Sequence, residues 1–251
     1  MIEIKSISSD NVSDLYQFCI PDKEEYKRAS KESVDFFLQK QKVGWRGSVL
    51  YEDKIPVGRA ELHPLEESFQ AITGDNLYFI PCFWIKPGYE KKGYGRKLME
   101  ELLKLTQTRK GVVTVTATGW MPQEFFLKFG FEKVQEKGTL QLLLRKNQEE
   151  ASCYWFEPNF VPQNLNNRIN MDVVYNHSCP YIVANWRNLI RKAKEVTDKL
   201  ELNIYQQIDR KDLERYGEPN IYIDGETPFI GPASEEEIGR IIKEHLRKKG
   251  L

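Results

Sequence analysis

Along the first 146 residues, short runs with a two-residue hydrophobic rhythm alternate with longer runs of helical spacing. "IEIKSI" (2–7) alternates like a strand. Asp10 is placed to cap a short helix through Phe18, and Asp22 a second that carries Val34, Phe36, Phe37 and Leu38. "GSVLYEDKIPVGRAEL" sets two β-rich runs around a polar turn and predicts a hairpin. Leu77 to Ile85 is an apolar strand interrupted by Pro81, which cannot donate to a ladder and so marks a bulge or an edge. Next comes a helix with Leu98, Leu102 and Leu105 on one stripe, flanked by Met99 and Leu103. "GVVTVTAT" (Gly111–Thr118) predicts another strand. Pro122 to Phe129 predicts a short helix, with Gly130 where a left-handed cap belongs, and "TLQLLLR" predicts the strand that closes the sheet.

The pattern lapses from Lys146 to Arg168, which reads as a linker whose Tyr154, Trp155 and Phe156 are suited to packing on a neighbour. A second unit then begins near Ile169. "MDVVY" predicts a strand, and "CPYIVANWRNLIRKAKEV" a helix with Ile182, Val183, Trp186, Ile190 and Ala193 on its apolar side. "LNIYQQI" reads as a strand, "RKDLERYG" as a short helix, "NIYIDG" as a strand and "TPFIG" as its partner. A capping box, Ser234 with Glu237, opens the last helix. The expected organisation is a domain at 1–146, a linker at 147–168 and a smaller β-α-β-α-β-β-α domain at 169–251.

Composition narrows the function classes without choosing one. Thirty-seven basic and 37 acidic residues balance to a net charge of +0, so no global field favours nucleic acid or an anionic membrane. The first residues lack a basic segment followed by an apolar one, and no apolar run approaches the ~20 residues of a membrane-spanning helix. Cys19, Cys82, Cys153 and Cys179 stand far apart, neither a disulfide framework nor a metal set. Reduced thiols in a cytoplasmic protein are the reading that follows.

The chemistry concentrates in "YEKKGYGRKLM" (89–99), at the junction between an apolar strand and a helix. The first amides of a helix lack intrahelical partners and meet the positive end of its dipole, so an anion fits there. Gly93 and Gly95 admit a ligand close to the backbone, and Lys91, Lys92, Arg96 and Lys97 surround the mouth with positive charge. The stretch is neither a nucleotide P-loop nor a dinucleotide fingerprint, since Leu98 occupies the last glycine position of the latter. Strands that splay at a bulge open a slot beside such a loop, wide enough for a long, thin phosphate-bearing cofactor.

Together, "YEKKGYGRKLMEELLK", "VVTVTA" and "FFLKFGFEKV" resemble the GNAT superfamily of acyl-CoA-dependent N-acetyltransferases over residues 1–146. The resemblance implies a mixed α/β sheet with a splayed, bulged central strand. It implies that acetyl-CoA is the cosubstrate. Its pyrophosphate would lie on the amides of Gly93, Tyr94, Gly95 and Arg96, and its pantetheine arm along Cys82, Phe83, Trp84 and Ile85. The acceptor would be a small-molecule or protein amine. The sequence departs from the family at two places. Glu90 stands where the loop usually has Gln or Arg, and Phe126 stands where many members carry a proton-donating tyrosine.

An amine must be neutral to attack a thioester, so a base near the sheet centre is of interest. Glu61 and His63 in "GRAELHPLEE" are the candidates, with Glu66 and Glu67 on the following loop as alternatives. Each also reads as an ordinary strand or loop residue. Cys82, beside the bulge, is either a thiol able to accept an acyl group or a proton, or a small core residue.

In the second unit, "SCPYIVANW" places Cys179 just before a helix, where the dipole stabilises a thiolate. "CPYI" is similar to a glutaredoxin motif with Ile182 in place of the second cysteine, and Pro219 stands where a thioredoxin-like fold usually has a cis proline. A GNAT domain followed by such a unit resembles the YoaP-like acetyltransferases. The sequence therefore points to a cytoplasmic acyl-CoA-dependent N-acetyltransferase. Its rivals are a non-catalytic acyl-CoA-binding protein and a monothiol redox protein acting through Cys179.

Overall fold

The computed structural model describes residues 1–251 other than Thr118 and Ile230. The chain divides into two compact units. One comprises Met1–Pro21, Val34–Ser68 and Ile72–Phe156, and the other Asp22–Ser33, Phe69–Ala71 and Glu157–Leu251. Among the described residues no helix is long and apolar enough to cross a membrane.

The first unit is built on one large sheet. Its strands are β1 (Ile2–Ser6), β2 (Arg46–Glu52), β3 (Ile55–Pro64), β5 (Leu77–Ile80), β6 (Phe83–Ile85), β7 (Gly111–Ala117), β8 (Glu132–Lys137) and β9 (Leu140–Lys146). They lie in the order β1-β2-β3-β5-β7-β9-β8, with β6 also paired to β3. A small ribbon, β4 (Ile72–Thr73) with β10 (Tyr154–Trp155), is separate from it. The segment read as a linker thus holds a strand, and Trp155 packs on an apolar cluster with Ile72, Leu142 and Leu144.

Several local signals fold as the sequence suggests. The β2–β3 hairpin turns at Asp53 and Lys54, whose φ values of 49° and 70° match the left-handed pair of a type I′ turn. Helix α1 spans Glu24–Lys40, with residues in both units. Helix α2 (Tyr94–Lys104) buries Leu98, Met99 and Leu102 against Leu50, Ala60, Leu62, Tyr78 and Ile80 on one face of the sheet. Short α3 (Gln123–Leu127) ends near Gly130, which has the expected left-handed φ of 79°.

Others differ. Residues 10–18 form only a 3-10 turn, Val12–Leu15, preceded by Asn11 rather than Asp10. The run from Leu77 to Ile85 is two strands, because the chain breaks at Pro81–Cys82. β9 does not close the sheet. The charged segment Glu132–Lys137, whose side chains are all exposed, pairs beyond it as the edge strand β8. Its polar sequence hides it from a hydrophobic-pattern reading. The strand expected over Gly111–Thr118 is β7 as far as Ala117, and Thr118 lies outside the described residues.

The second unit has a three-stranded sheet in the order β12 (Leu200–Gln206), β11 (Ile169–Tyr175), β13 (Asn220–Ile223). β11 and β12 are parallel and joined by α4 (Pro180–Val196), whereas β13 is antiparallel to β11. α5 (Arg210–Tyr216) links β12 to β13, and α6 (Glu235–Lys249) begins at the anticipated Ser234–Glu237 capping box. Val173, Trp186, Leu189, Ile221, Ile223, Ile238 and Ile242 form its core. The expected strand "TPFIG" does not form over residues 227–229, and Ile230 lies outside the described residues. There is no cis peptide among the described residues, so Pro219 is trans.

Candidate active site

The break at Pro81–Cys82 changes the partners of the strand. β5 runs parallel to β7 from Leu77 opposite Gly111 to Ile80 opposite Thr114, and the Thr114 hydroxyl donates to the Ile80 carbonyl at 2.9 Å. Past the break, β6 pairs with β3 alone, while β7 from Val115 to Ala117 stays paired with β9. A slot therefore opens between β6 and the end of β7. The amide of Glu61 donates to the Cys82 carbonyl at 2.9 Å and that of Lys86 to the Val57 carbonyl at 2.8 Å. Even-numbered residues thus turn their peptide groups to β3. The antiparallel alternation leaves the amides of Phe83 and Ile85 facing the slot.

At the head of the slot, α2 starts from Gly93, whose φ of 80° is left-handed and whose missing side chain leaves open space. The Lys97 amide donates to the Gly93 carbonyl at 3.2 Å, so the amides of Tyr94, Gly95 and Arg96 precede the helical ladder. Lys91, Lys92, Arg96 and Lys97 are all exposed around them. The Glu90 carboxylate accepts from the Gly88 amide at 2.6 Å, so it folds back on its own loop.

Residues 10–131 match the model of the acetyltransferase (GNAT) family. That stretch carries a GNAT acetyltransferase domain. A search of curated proteins found no match. Several solved structures are similar. The paia N-acetyltransferase of Thermoplasma acidophilum in complex with coenzyme A is 18% identical, covering 58% of this chain and 99% of that chain at a TM-score of 0.46. The structure of yncA from Salmonella typhimurium with its cofactor acetyl-CoA is 14% identical, covering 60% and 96% at a TM-score of 0.46. The ribosomal-protein-S18-alanine N-acetyltransferase of Escherichia coli is 12% identical, covering 62% and 100% at a TM-score of 0.43.

Within the GNAT domain, Glu61 and His63 alternate along β3 with Ala60 and Leu62, which pack with α2, and so face the other side of the sheet. Glu61 is 2% exposed and pairs with Arg59, Oε1 to Nη2 at 3.0 Å. Burial raises its pKa, and the Arg59 charge opposes that rise. His63, also buried, stacks on Trp45 at 4.4 Å between ring centres, and its Nδ1–H donates to the Pro64 carbonyl at 2.8 Å. Glu66 and Glu67 are tied to Arg109 and Lys40 at 2.7 and 3.2 Å. Cys82 does sit at the slot, but burial pushes its thiol up to about 12 despite the nearby Arg59.

Phe126 is 1% exposed and packs edge-on to Phe125 and Phe131 at 5.4 Å. Its neighbour Phe125, half-buried, is the one that meets the glycine loop, lying 5.1 Å from Phe83 and from Phe129. In the second unit Cys179 is the N-cap of α4, followed by Pro180 in the first turn, and is half-buried. None of the four cysteines forms a disulfide.

Three contributors escaped sequence reading. Glu52 binds both Lys92, at 3.4 Å, and the Tyr94 hydroxyl. Arg59 lies inside the sheet wall with Cys19 and Cys82 against it. Phe125 backs the loop. Only Arg59 had a local signal, since Arg59 and Glu61 sit two apart, on one face of a strand, with opposite charge.

Proposed function

We propose that the protein is an N-acetyltransferase that moves the acetyl group of acetyl-CoA to an amine by direct attack. The observation that carries this reading is the slot between β6 and β7, which ends at the left-handed Gly93 and the unladdered amides of α2. Those amides, with Lys91, Lys92, Arg96 and Lys97, suit a pyrophosphate. The Phe83 and Ile85 amides suit the amide groups of a pantetheine arm and the thioester carbonyl. Bound acetyl-CoA would supply an activated acyl carbon. The chain's own part is to hold that carbonyl on fixed N–H donors, where developing negative charge is stabilised without reorganisation. Glu61 and His63, buried and engaged, support the wall of the slot, and the amine loses its proton to solvent.

The domain boundaries we favour are 1–146 for the acetyltransferase and 169–251 for a YoaP-like, thioredoxin-like unit. The parallel β11–α4–β12 element with antiparallel β13 supports the latter. The test of the activity is incubation with acetyl-CoA and a library of polyamines, aminoglycosides, amino acids and peptides, with release of CoA thiol as the readout. CoA binding by calorimetry without turnover of any amine would favour a binding protein instead.

A further inference from the structure

The Arg59 guanidinium is fully buried beside the break in the slot-forming strand, and each of its three nitrogens has a partner. Nε donates to Cys82 Sγ at 3.3 Å, Nη1 to the Leu15 carbonyl at 2.9 Å and to Cys19 Sγ at 3.5 Å, and Nη2 pairs with Glu61 at 3.0 Å. The cation also lies 5.0 Å from the centre of the Tyr16 ring. Cys19 in turn donates its S–H to the Tyr16 carbonyl at 3.4 Å. One rigid fork thus joins three pieces of chain: the end of the 3-10 helix with the turn after it, strand β3, and Cys82 at the bulge.

A buried cation is costly unless well partnered, and a hydrophobic pair of equal volume would commonly be as stable. The geometry of this fork has a use that such a pair would lack. Its Nε contact and the Glu61 N–H to Cys82 carbonyl bond of 2.9 Å fix the same residue from side chain and backbone. Cys82 is the residue from which β6 departs toward β3 and away from β7.

We propose that Arg59 is the positioning residue of the slot: through Cys82 it sets the direction in which the Phe83 and Ile85 amides face the acyl carbonyl. The proposal rests on the acetyl-CoA reading for its carbonyl. Lysine cannot replace it, because an ammonium lacks the planar fork that reaches sulfur, carbonyl and carboxylate at once.

Two measurements test it. The first needs no ligand: hydrogen exchange of the Glu61 and Lys86 amides, which bond across the β3–β6 ladder. In Arg59→Lys, and in the pair-removing variant Arg59→Met/Glu61→Met, both amides are expected to exchange at least about tenfold faster, with the Thr114–Ile80 region unchanged. The second is the infrared carbonyl stretch of bound, isotope-labelled acetyl-CoA. It should lie below that of free acetyl-CoA in the wild type and return toward it in the variants, while calorimetric CoA affinity changes less than threefold. Unaltered exchange and an unaltered stretch in folded variants would overturn the positioning role. Failure of the wild type to bind CoA removes the acetyl-CoA reading alone, since the exchange measurement still decides whether Arg59 holds the bulge. Should the Arg59 variants not fold, Cys82→Ala removes only the sulfur contact. Faster exchange of the Glu61 amide there supports the proposal, and unchanged exchange overturns it.

Discussion

Gly95 stands against Phe125: a Cβ built on this glycine would lie 3.2 Å from Phe125 Cε2 and 3.8 Å from Ile85. The bare backbone at position 95 therefore serves helix packing at the mouth of the slot, whereas the open space belongs to Gly93. We expect Gly95→Val to cost about 1–3 kcal/mol by overpacking and to weaken CoA binding along with it. A melting curve beside calorimetry checks this. An unshifted melt with lost CoA affinity would show instead that the side chain points at the ligand.

Phe126 lies buried among aromatic side chains. The ring is enclosed by Phe83, Phe125 and Phe131. Phe126→Tyr would bury a hydroxyl, at a cost of about 1–3 kcal/mol if it finds no partner. The expected outcome is a lower melting temperature and no gain in turnover. A gain in turnover at unchanged stability would place the hydroxyl at the slot after all.

Glu52 competes with any anion for Lys92 and the Tyr94 hydroxyl. Glu52→Gln is expected to raise CoA affinity a few-fold at low salt, with the gain shrinking as added salt screens the charges. Calorimetry at two ionic strengths reads both effects, and weaker binding would mean that Glu52 orders the loop.

Burial raises the thiols of Cys82 and Cys153 to about 12. Near neutral pH neither yields much thiolate, so iodoacetamide should label Cys179, half-buried at a helix start, well before them. Mass spectrometry of partly alkylated protein ranks the sites. The same shifts bear on stability. A thiol whose folded pKa lies above its unfolded value keeps its proton longer when folded. Its contribution is complete below about pH 9 and is lost as pH rises toward 12. Alkaline melts of wild type against Cys153→Ala should show this, the wild type losing stability more steeply in that window.

With Glu61 and His63 closed to solvent, the proposed activity should follow the ionisation of the acceptor. For an amine substrate, kcat/KM is expected to climb with pH up to the amine's own pKa, with no inflection between pH 5 and 7. An inflection there that disappears in Glu61→Gln or His63→Gln would return the role of base to that residue.

The sequence by itself settled what depends on near neighbours. The hairpin over 47–62, the left-handed Gly130, the Ser234–Glu237 cap, the break at Pro81 and the glycine loop at 93–95 are each set by backbone constraints or periodicities a few residues long. Only the tertiary structure decided which residues those elements set face to face. That Gly95 meets Phe125, that Phe126 turns inward, that Glu52 takes Lys92, and that Arg59 reaches Leu15, Cys19 and Cys82 follow from strand register and helix docking between segments far apart in the chain. Register carries a side chain to one face or the other with each one-residue step, and no local pattern records it. The slot has the same origin: the bulge is written at Pro81, but its opening exists because β6 keeps β3 as partner while β7 keeps β9.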